Sequence, residues 1–430
     1  MTAGEEGVMD YDIIVAGGGP AGITAARASS EAGAKVLLVE KCGFLGGSLT
    51  ACLVGTIGGL FVKNADAIDY SVGGLARECA ETLKERGQAF GPFPWEQTAV
   101  LPHVPWGIKK LYDEWADGAG SLDLLLHTCL TGVSVEGGRI TGVRLQTRAG
   151  ERRISAPVYI DASGDGDLAY LSGATMEGSP VQFPSMNFYM HNVNLGEALT
   201  AGLATLQTLI KEAIETGEYD LPRAGGAVIP TMRPGEVIVA MGRIALEGRP
   251  VDCTDPEQLT YAELEGRRQA VILADFLRSK MPGFSEAYLV DTSCRVGIRC
   301  TRRLVGRYVL TGEDVLGAAD FPDGICRSAW PVELHAEGRV TVLEFPPPEK
   351  TYSVPLRSMQ PVEVENLLVA GRCLSATVEG QASARVSGTC MAMGEAAGIA
   401  ATMALKDGGT TAEVDAGGLR ARLDERGAVL

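Results

Sequence analysis

The 430-residue chain has no C-x-x-C pair among its ten cysteines, only four histidines, and no apolar run of the ~18 residues that a membrane span needs. Unpaired and without metal spacing, the cysteines exclude a disulfide framework as the organising device and are expected to be reduced, mostly as small buried hydrophobes. His103, His127, His191 and His335 are too far apart in sequence to suggest a ligand cluster, so no metal is expected. The opening MTAGEEGVMD holds acids and no apolar segment, which does not fit a signal peptide, and a cytoplasmic location is expected. With 38 basic and 54 acidic residues the formal charge is −16, which argues against nucleic acid or an anionic membrane surface as a partner. An anionic small molecule would need a local basic pocket. A hydrophobic content of 46% against 21% charged residues describes an ordinary folded chain, long enough for two domains. Nothing in the composition decides for or against a homo-oligomer.

What is present is a complete dinucleotide-binding βαβ unit, YDIIVAGGGPAGITAARASSEAGAKVLLVE, at residues 11–40. Asp12–Ala16 predicts a buried strand, Gly22–Ala32 a small-residue helix, and Lys35–Val39 a second strand. Gly17, Gly19 and Gly22 form the G-x-G-x-x-G turn: a tight turn, a close backbone approach to a pyrophosphate, and close helix-to-strand packing. Phosphates suit the N-terminus of such a helix, where free N–H groups and the dipole favour negative charge. Glu40, closing the second strand, can accept hydrogen bonds from ribose hydroxyls and would repel a 2′-phosphate.

Beyond this unit, Lys41–Leu60 is glycine-rich and apolar without a clear period, as in a loop and short helix passing close to a ligand. Val72–Arg86 predicts a helix, and Phe90–Trp106 is a proline- and aromatic-rich excursion, either a lid or a surface loop. Leu122–Leu130, Thr131–Glu136 and Arg139–Thr147 predict successive strands of an inserted β-meander, with Gly137-Gly138 as a hairpin turn. The strand Ala156–Ile160 then runs into the Gly/Asp turn Asp161–Ala169, the kind of turn that lies at the carboxyl edge of a parallel sheet. Val181–Lys350 changes to mixed strands and helices, including the amphipathic helix Tyr261–Lys280, and predicts a second domain. The first pattern returns with a strand at Glu365–Ala370, a turn at Gly371-Arg372 and a long helix at Thr389–Lys406. From Asp407 a frayed tail or a short terminal helix is expected. No second G-x-G-x-x-G precedes an acidic strand end, and Cys42 and Cys52 lack the spacing of a redox pair, so a disulfide-reductase organisation is not expected.

GGGPAG at Gly17–Gly22, EKCGFLGG at Glu40–Gly47, IDASGDGDLA at Ile160–Ala169, RVGIRCTRRLVGRYVLTGEDV at Arg295–Val315, ENLLVAGRCLSAT at Glu365–Thr377 and CMAMGEAAG at Cys390–Gly398 together resemble the FAD-dependent oxidoreductases of the glutathione-reductase-like fold. The resemblance implies an α/β FAD-binding Rossmann domain with an inserted β-meander, assembled from 8–70, 112–180 and 355–408. A mixed α+β substrate domain (71–111 and 181–354) and a C-terminal tail (409–430) would complete the chain. It implies FAD held through Gly17, Gly19, Pro20, Ala21, Gly22, Glu40, Lys41, Gly46, Gly47, Ser48, Ala162, Gly164, Asp165, Gly371, Arg372 and Thr389. A helix N-terminus near Thr389 would favour the anionic reduced flavin. This chain departs from its relatives at three places: Cys300 replaces a usual Glu, Val378 a frequent His, and Ser387-Gly388 the Met-Pro of R-V-M-P-T-C.

Flavin chemistry requires the protein to hold a substrate near the reactive ring and to exclude water. Arg295, Arg299, Arg302 and Arg303 fall within nine positions, which stands out in so acidic a chain. Arg302 and Arg303 could equally pair with acids such as Glu313 and Asp314, so Arg299 and Arg385 are the better candidates for clamping a carboxylate. Tyr352, His335 and Glu379 are the groups available for proton transfer, with Glu379 standing beside the missing His. Arg299, Arg385, Glu379 and Tyr352 are therefore the expected catalytic set. The expected activity is hydride transfer between FAD and a small organic substrate, with carboxylates among the candidates and an external electron donor or acceptor. The alternatives are a monooxygenase using NAD(P)H and oxygen, or a non-redox FAD protein such as an isomerase, a hydratase or an inactive subunit.

Overall fold

The computed structural model describes residues 10–430 apart from Ser179, Glu337 and Asp407. At its centre is a five-stranded sheet in the order Leu367–Val369, Val158–Asp161, Ile13–Ala16, Val36–Val39, Leu122–Leu125, with every pairing parallel. Because successive side chains alternate faces, each short apolar strand feeds two cores. Ile13, Val15, Val36 and Leu38 enter the core on the helical face, while Ile14, Ala16, Leu37 and Val39 enter the core under the meander.

On the helical face, Pro20–Glu31 packs against the long C-terminal helix Ser387–Lys406. Small residues let the two backbones touch. The Thr24 hydroxyl donates to the Met391 carbonyl at 2.8 Å and the Ser29 hydroxyl to the Gly398 carbonyl at 3.2 Å. A methyl added at Gly394 would run into the Ala21 carbonyl and the Thr24 hydroxyl. The opposite face carries the antiparallel meander Cys129–Glu136, Arg139–Thr147, Gly150–Ile154.

Three expectations from the sequence change here. Leu122–Leu130 is not one strand of the meander: Leu122–Leu125 closes the edge of the parallel sheet, the chain turns at His127 (φ 52°), and the meander begins at Cys129. An apolar run alone cannot show where a strand changes sheet. Residues 71–111, expected in the second unit, send Leu75, Ala76, Cys79, Ala80 and Leu83 of the helix Gly74–Glu85 into the same core as the parallel sheet. Of the two readings of the chain's end the short terminal helix holds: Ala416–Glu425 buries Leu419 and Leu423 in that core, so 409–430, set apart as a tail, packs with the parallel sheet.

A second core surrounds the antiparallel sheet Ala227–Pro230, Val237–Ala240, Phe188–His191, Tyr288–Thr292, covered by the helices Leu195–Thr216 and Pro256–Lys280. Asp255 caps the longer helix, its side chain accepting from the Glu257 and Gln258 N–H groups, and Pro256 occupies the first helical position. Among the described residues no helix is long and apolar enough to cross a membrane.

The backbone contact between the two helices predicts that Gly394→Ala lowers the unfolding free energy by about 2 kcal/mol through overpacking. Gly120→Ala, with nothing within 4 Å of the added carbon, should stay within ~0.5 kcal/mol. Urea titration of both variants checks this; equal stability would mean that the helices can separate without loss.

Candidate active site

The carboxyl ends of the parallel strands converge on one cavity of about 1100 Å³. Ala16, Val39, Ala162 and Ala370, each at or just past a strand end, all line it, as do Gly17, Gly19, Pro20 and Ala21 of the fingerprint. Gly17 turns with φ 100°, and a side chain there would come within 2.5 Å of the Ala162 carbonyl. Gly19 stands at the helix N-cap without any side-chain cap, so first-turn N–H groups stay free where the loop lines the cavity. The second glycine loop lies across the first: Gly46 donates its N–H to the Gly18 carbonyl at 2.9 Å. A carbon added at Gly19 would meet only the Gly47 Cα, at 3.8 Å, so the two loops leave a cradle between them. An elongated anionic dinucleotide fits such a wall.

The buried Glu40 carboxylate accepts from the Gly18 N–H and the Cys42 N–H, both at 2.7 Å. These bonds aim it at the cavity and leave each oxygen one further lone pair for a ligand hydroxyl. Across the cavity, Asp161 holds the Gly/Asp turn in shape, accepting from Ser163 N–H and Oγ on one oxygen and from the Ala169 N–H on the other. The turn presents Asp165, whose carboxylate meets Arg372 Nη2 at 2.6 Å, Thr301 Oγ1 at 3.0 Å and Lys41 Nζ at 3.6 Å. Burial alone would raise this carboxyl, but Arg372 and Lys41 hold it well below the usual carboxylate range.

Deeper in the same cavity lie Arg223, Arg299, Arg385, Glu333 and His335. The Arg299 guanidinium donates to the Phe183 carbonyl at 2.6 Å, and burial, with the Arg385 and Arg223 charges beside it, pushes it down to about 9. Arg223 bonds Thr341 Oγ1 at 2.8 Å, and Arg385 donates to the Glu333 carbonyl at 3.4 Å while its Nε finds no partner among the described residues. Among the described residues the Glu333 carboxylate answers these three cations. It accepts from Trp330 Nε1 at 3.2 Å and contacts His335 Nε2 at 3.0 Å. Burial would raise Glu333, yet His335, Arg385 and Arg299 keep it ionised, well below its usual range. Because an ionised carboxylate only accepts, His335 must donate from Nε2, which leaves Nδ1 to accept from Thr341 Oγ1 at 3.2 Å. The Phe93–Trp95 and Thr98–Pro102 hairpin closes one side of the cavity, with the Trp95 ring stacked on Trp330 at 4.8 Å.

Of the residues expected to bind a cofactor, Gly17, Gly19, Pro20, Ala21, Glu40, Lys41, Gly47, Ser48, Ala162, Gly164, Asp165, Gly371 and Arg372 line the cavity. Gly22, Gly46 and Thr389 do not. Gly22 packs its helix against the Gly17 carbonyl, Gly46 bonds the fingerprint loop, and Thr389 is fully buried against Ser328. Two residues earlier, Ser387 takes the lining position, because the helix begins there and not at Thr389.

The catalytic expectation divides in the same way. Arg299 and Arg385 line the cavity, whereas Glu379 is exposed in the first turn of the helix Val378–Ala384, away from it. Tyr352 is fully buried behind the wall, its hydroxyl on Ser383 Oγ, which in turn donates to the Trp330 carbonyl. Its role is to support Trp330. Arg302 and Arg303 do pair with acids, but with Asp167 and Glu177; Asp314 instead caps its own helix. Arg223 and Glu333 carried no motif, and only their contacts across the fold reveal them.

A dinucleotide cradle joined to a cationic inner chamber defines a cofactor-dependent enzyme of the α/β class. Residues 12–423 match the family described as FAD dependent oxidoreductase, and the chain belongs to that family. A digeranylgeranylglycerophospholipid reductase of Methanoculleus marisnigri is 30% identical over 159 residues, 36% of this chain and 39% of that protein. A thiamine thiazole synthase of Aeropyrum pernix is 33% identical over 132 residues, 31% of this chain and 42% of that protein. The matches therefore span less than half the length of either relative. A solved geranylgeranyl bacteriochlorophyll reductase-like protein of Thermoplasma acidophilum aligns with a TM-score of 0.48 at 14% identity, over 97% of this chain and 83% of that one.

Two buried histidines make stability depend on pH. Burial pushes His103 down to about 4, and burial with the Arg299 charge pushes His335 down to about 3. In the unfolded chain both titrate near 6.5, so between that value and the folded ones the unfolded state binds more protons. Stability should therefore fall as pH drops from about 6.5 towards 4, and the depressed Glu333 adds in the same direction at the acid end. His103→Gln can keep the 2.9 Å bond to the Val54 carbonyl but cannot charge. It should flatten the slope by up to ~1.4 kcal/mol per pH unit, as measured by urea unfolding at stepped pH. An unchanged slope would show that His103 is not held neutral.

Proposed function

We propose that this FAD-dependent oxidoreductase transfers hydride between flavin and a small organic anion, with a carboxylate as the group its arginines hold. The observation that carries this is the imbalance in the inner chamber among the described residues: Arg223, Arg299 and Arg385 against the Glu333 carboxylate, in a chain of net charge −16. Burial first, and then the Arg385 and Arg223 charges, depress Arg299, and an anion placed beside it relieves that cost. Planar guanidinium groups suit bidentate carboxylate recognition.

In this proposal the residues would hold FAD as the glutathione-reductase-like resemblance implies. Gly17 and Gly19 would hold the pyrophosphate, Glu40 the adenosine ribose, Gly47 and Ser48 the flavin side, and Asp165 with Arg372 the linking chain. Bound FAD supplies the two-electron acceptor or donor. Arg299 and Arg385 bind and orient the anion, and Glu333 keeps Arg385 and His335 in place. Trp95 and Trp330 exclude water from that side of the chamber. With both ring nitrogens engaged, His335 acts as a fixed dipole and not as a free base. The electron partner that completes turnover is a separate small molecule or protein.

The test is anaerobic. Purified flavoprotein is mixed with small carboxylates, amines and alcohols while the visible flavin band is followed. Bleaching by a carboxylate is expected, and Arg299→Gln should reduce kcat/KM for that compound by about 10- to 150-fold, the cost of losing a charged hydrogen bond. Bleaching by an amine or alcohol with no effect of Arg299→Gln would overturn the assignment of the arginines. Reduction by NAD(P)H with oxygen uptake would point to a monooxygenase instead.

A further inference from the structure

The cavity does not end at the arginines. Its wall in the second unit is apolar and includes Leu195, Leu199, Leu203, Leu206, Val228 and Phe284. Leu195 and Leu199 lie four apart before the break in the helix Leu195–Thr216 and Leu203 and Leu206 three apart after it, and all four line the cavity. Along this series exposure falls steeply: Leu199 is 63% exposed, Leu203 52% and Leu206 2%. An apolar stripe therefore leads from solvent into the interior of the same cavity that holds the cationic chamber. The helix breaks at Gly202, with φ 76° and ψ 174°, so its first turns and its packed body are separate pieces joined at the middle of the stripe. Singly exposed leucines need no explanation, but two on one concave wall mark a binding surface. The same cavity, of about 1100 Å³, is lined by both the glycine wall and this stripe.

Resting on the assignment of Arg299 and Arg385 to the substrate's anionic group, we infer that the substrate is an amphiphile. It is a carboxylate whose unbranched or lightly branched apolar chain lies along the Leu199–Leu203–Leu206 stripe. Charge complementarity selects the occupant: an uncharged apolar molecule would leave the buried guanidinium groups unanswered, and a short acid would leave the stripe wet. The two recognition elements divide the work, the arginines fixing which end lies near the flavin and the stripe adding affinity with chain length.

Isothermal titration of the flavin-loaded protein with butyrate, octanoate and dodecanoate, all below their micellar range, tests this. Dodecanol at matched concentration is the uncharged comparison. Affinity should rise about fourfold per added methylene until the stripe is covered. The double variant Leu199→Asn, Leu203→Asn, at positions exposed enough to tolerate polarity, should flatten that rise while leaving butyrate binding unchanged. Butyrate binding without any dependence on chain length would overturn the amphiphile and leave the arginine assignment standing. Dodecanol binding as tightly as dodecanoate would overturn the arginine assignment and, with it, the orientation proposed here. A rise with chain length that the double variant does not alter would overturn the stripe as the chain's location.

Discussion

The structure depends on the contact between the backbones of Pro20–Glu31 and Ser387–Lys406. Two helices more than 350 residues apart in sequence touch through glycine, alanine and hydroxyl groups, with Thr24 bonded to the Met391 carbonyl. Larger side chains would push them apart, and the loops they carry would separate with them. Because they touch, the fingerprint turn at Gly17, the Gly371-Arg372 turn and the start of the C-terminal helix sit around one opening. The cofactor cradle is thus a product of small-residue packing as much as of the glycine signature.

The electrostatics follow from that enclosure. Asp165 and Arg372, 207 positions apart, meet at 2.6 Å because the parallel sheet brings their strand ends together. Each would be costly to bury alone; paired, with Thr301 and Lys41 alongside, they close one wall of the cradle. The inner chamber is arranged differently. There, among the described residues, the cations outnumber the acids and Arg385 Nε has no partner, and Arg299 is held below its usual range. A balanced ion-pair network stabilises a fold, whereas an unbalanced one in a cavity is poised for a ligand.

How much could be read from the residues alone follows from the range of the interactions. The βαβ unit was legible because strand alternation, glycine spacing and the acidic strand end all lie within 30 residues. The turn Asp161–Ala169 was legible for the same reason: Asp161 bonds groups no more than eight positions away. The strand change at His127 was not, since an apolar run gives no sign of which sheet accepts it. Glu379 is misplaced from sequence because it stands between the cavity-lining Arg372 and Arg385 while its own side chain is exposed and lies outside that lining. Glu333, flanked by nothing diagnostic, gains its meaning only from Trp330, His335 and Arg385, which the fold collects. Tyr352 is a plausible proton donor by residue type, and only its burial behind Trp330 shows that it supports the wall.

The central claim is that an anion binds among Arg223, Arg299 and Arg385 within reach of the flavin. The most direct measurement is a difference spectrum of the oxidised flavin during titration with benzoate, an inert carboxylate that requires no turnover. A saturable perturbation of the flavin band, lost in Arg299→Gln at unchanged flavin content, is the predicted result. A spectrum indifferent to benzoate, or a perturbation that survives the substitution, would contradict the account.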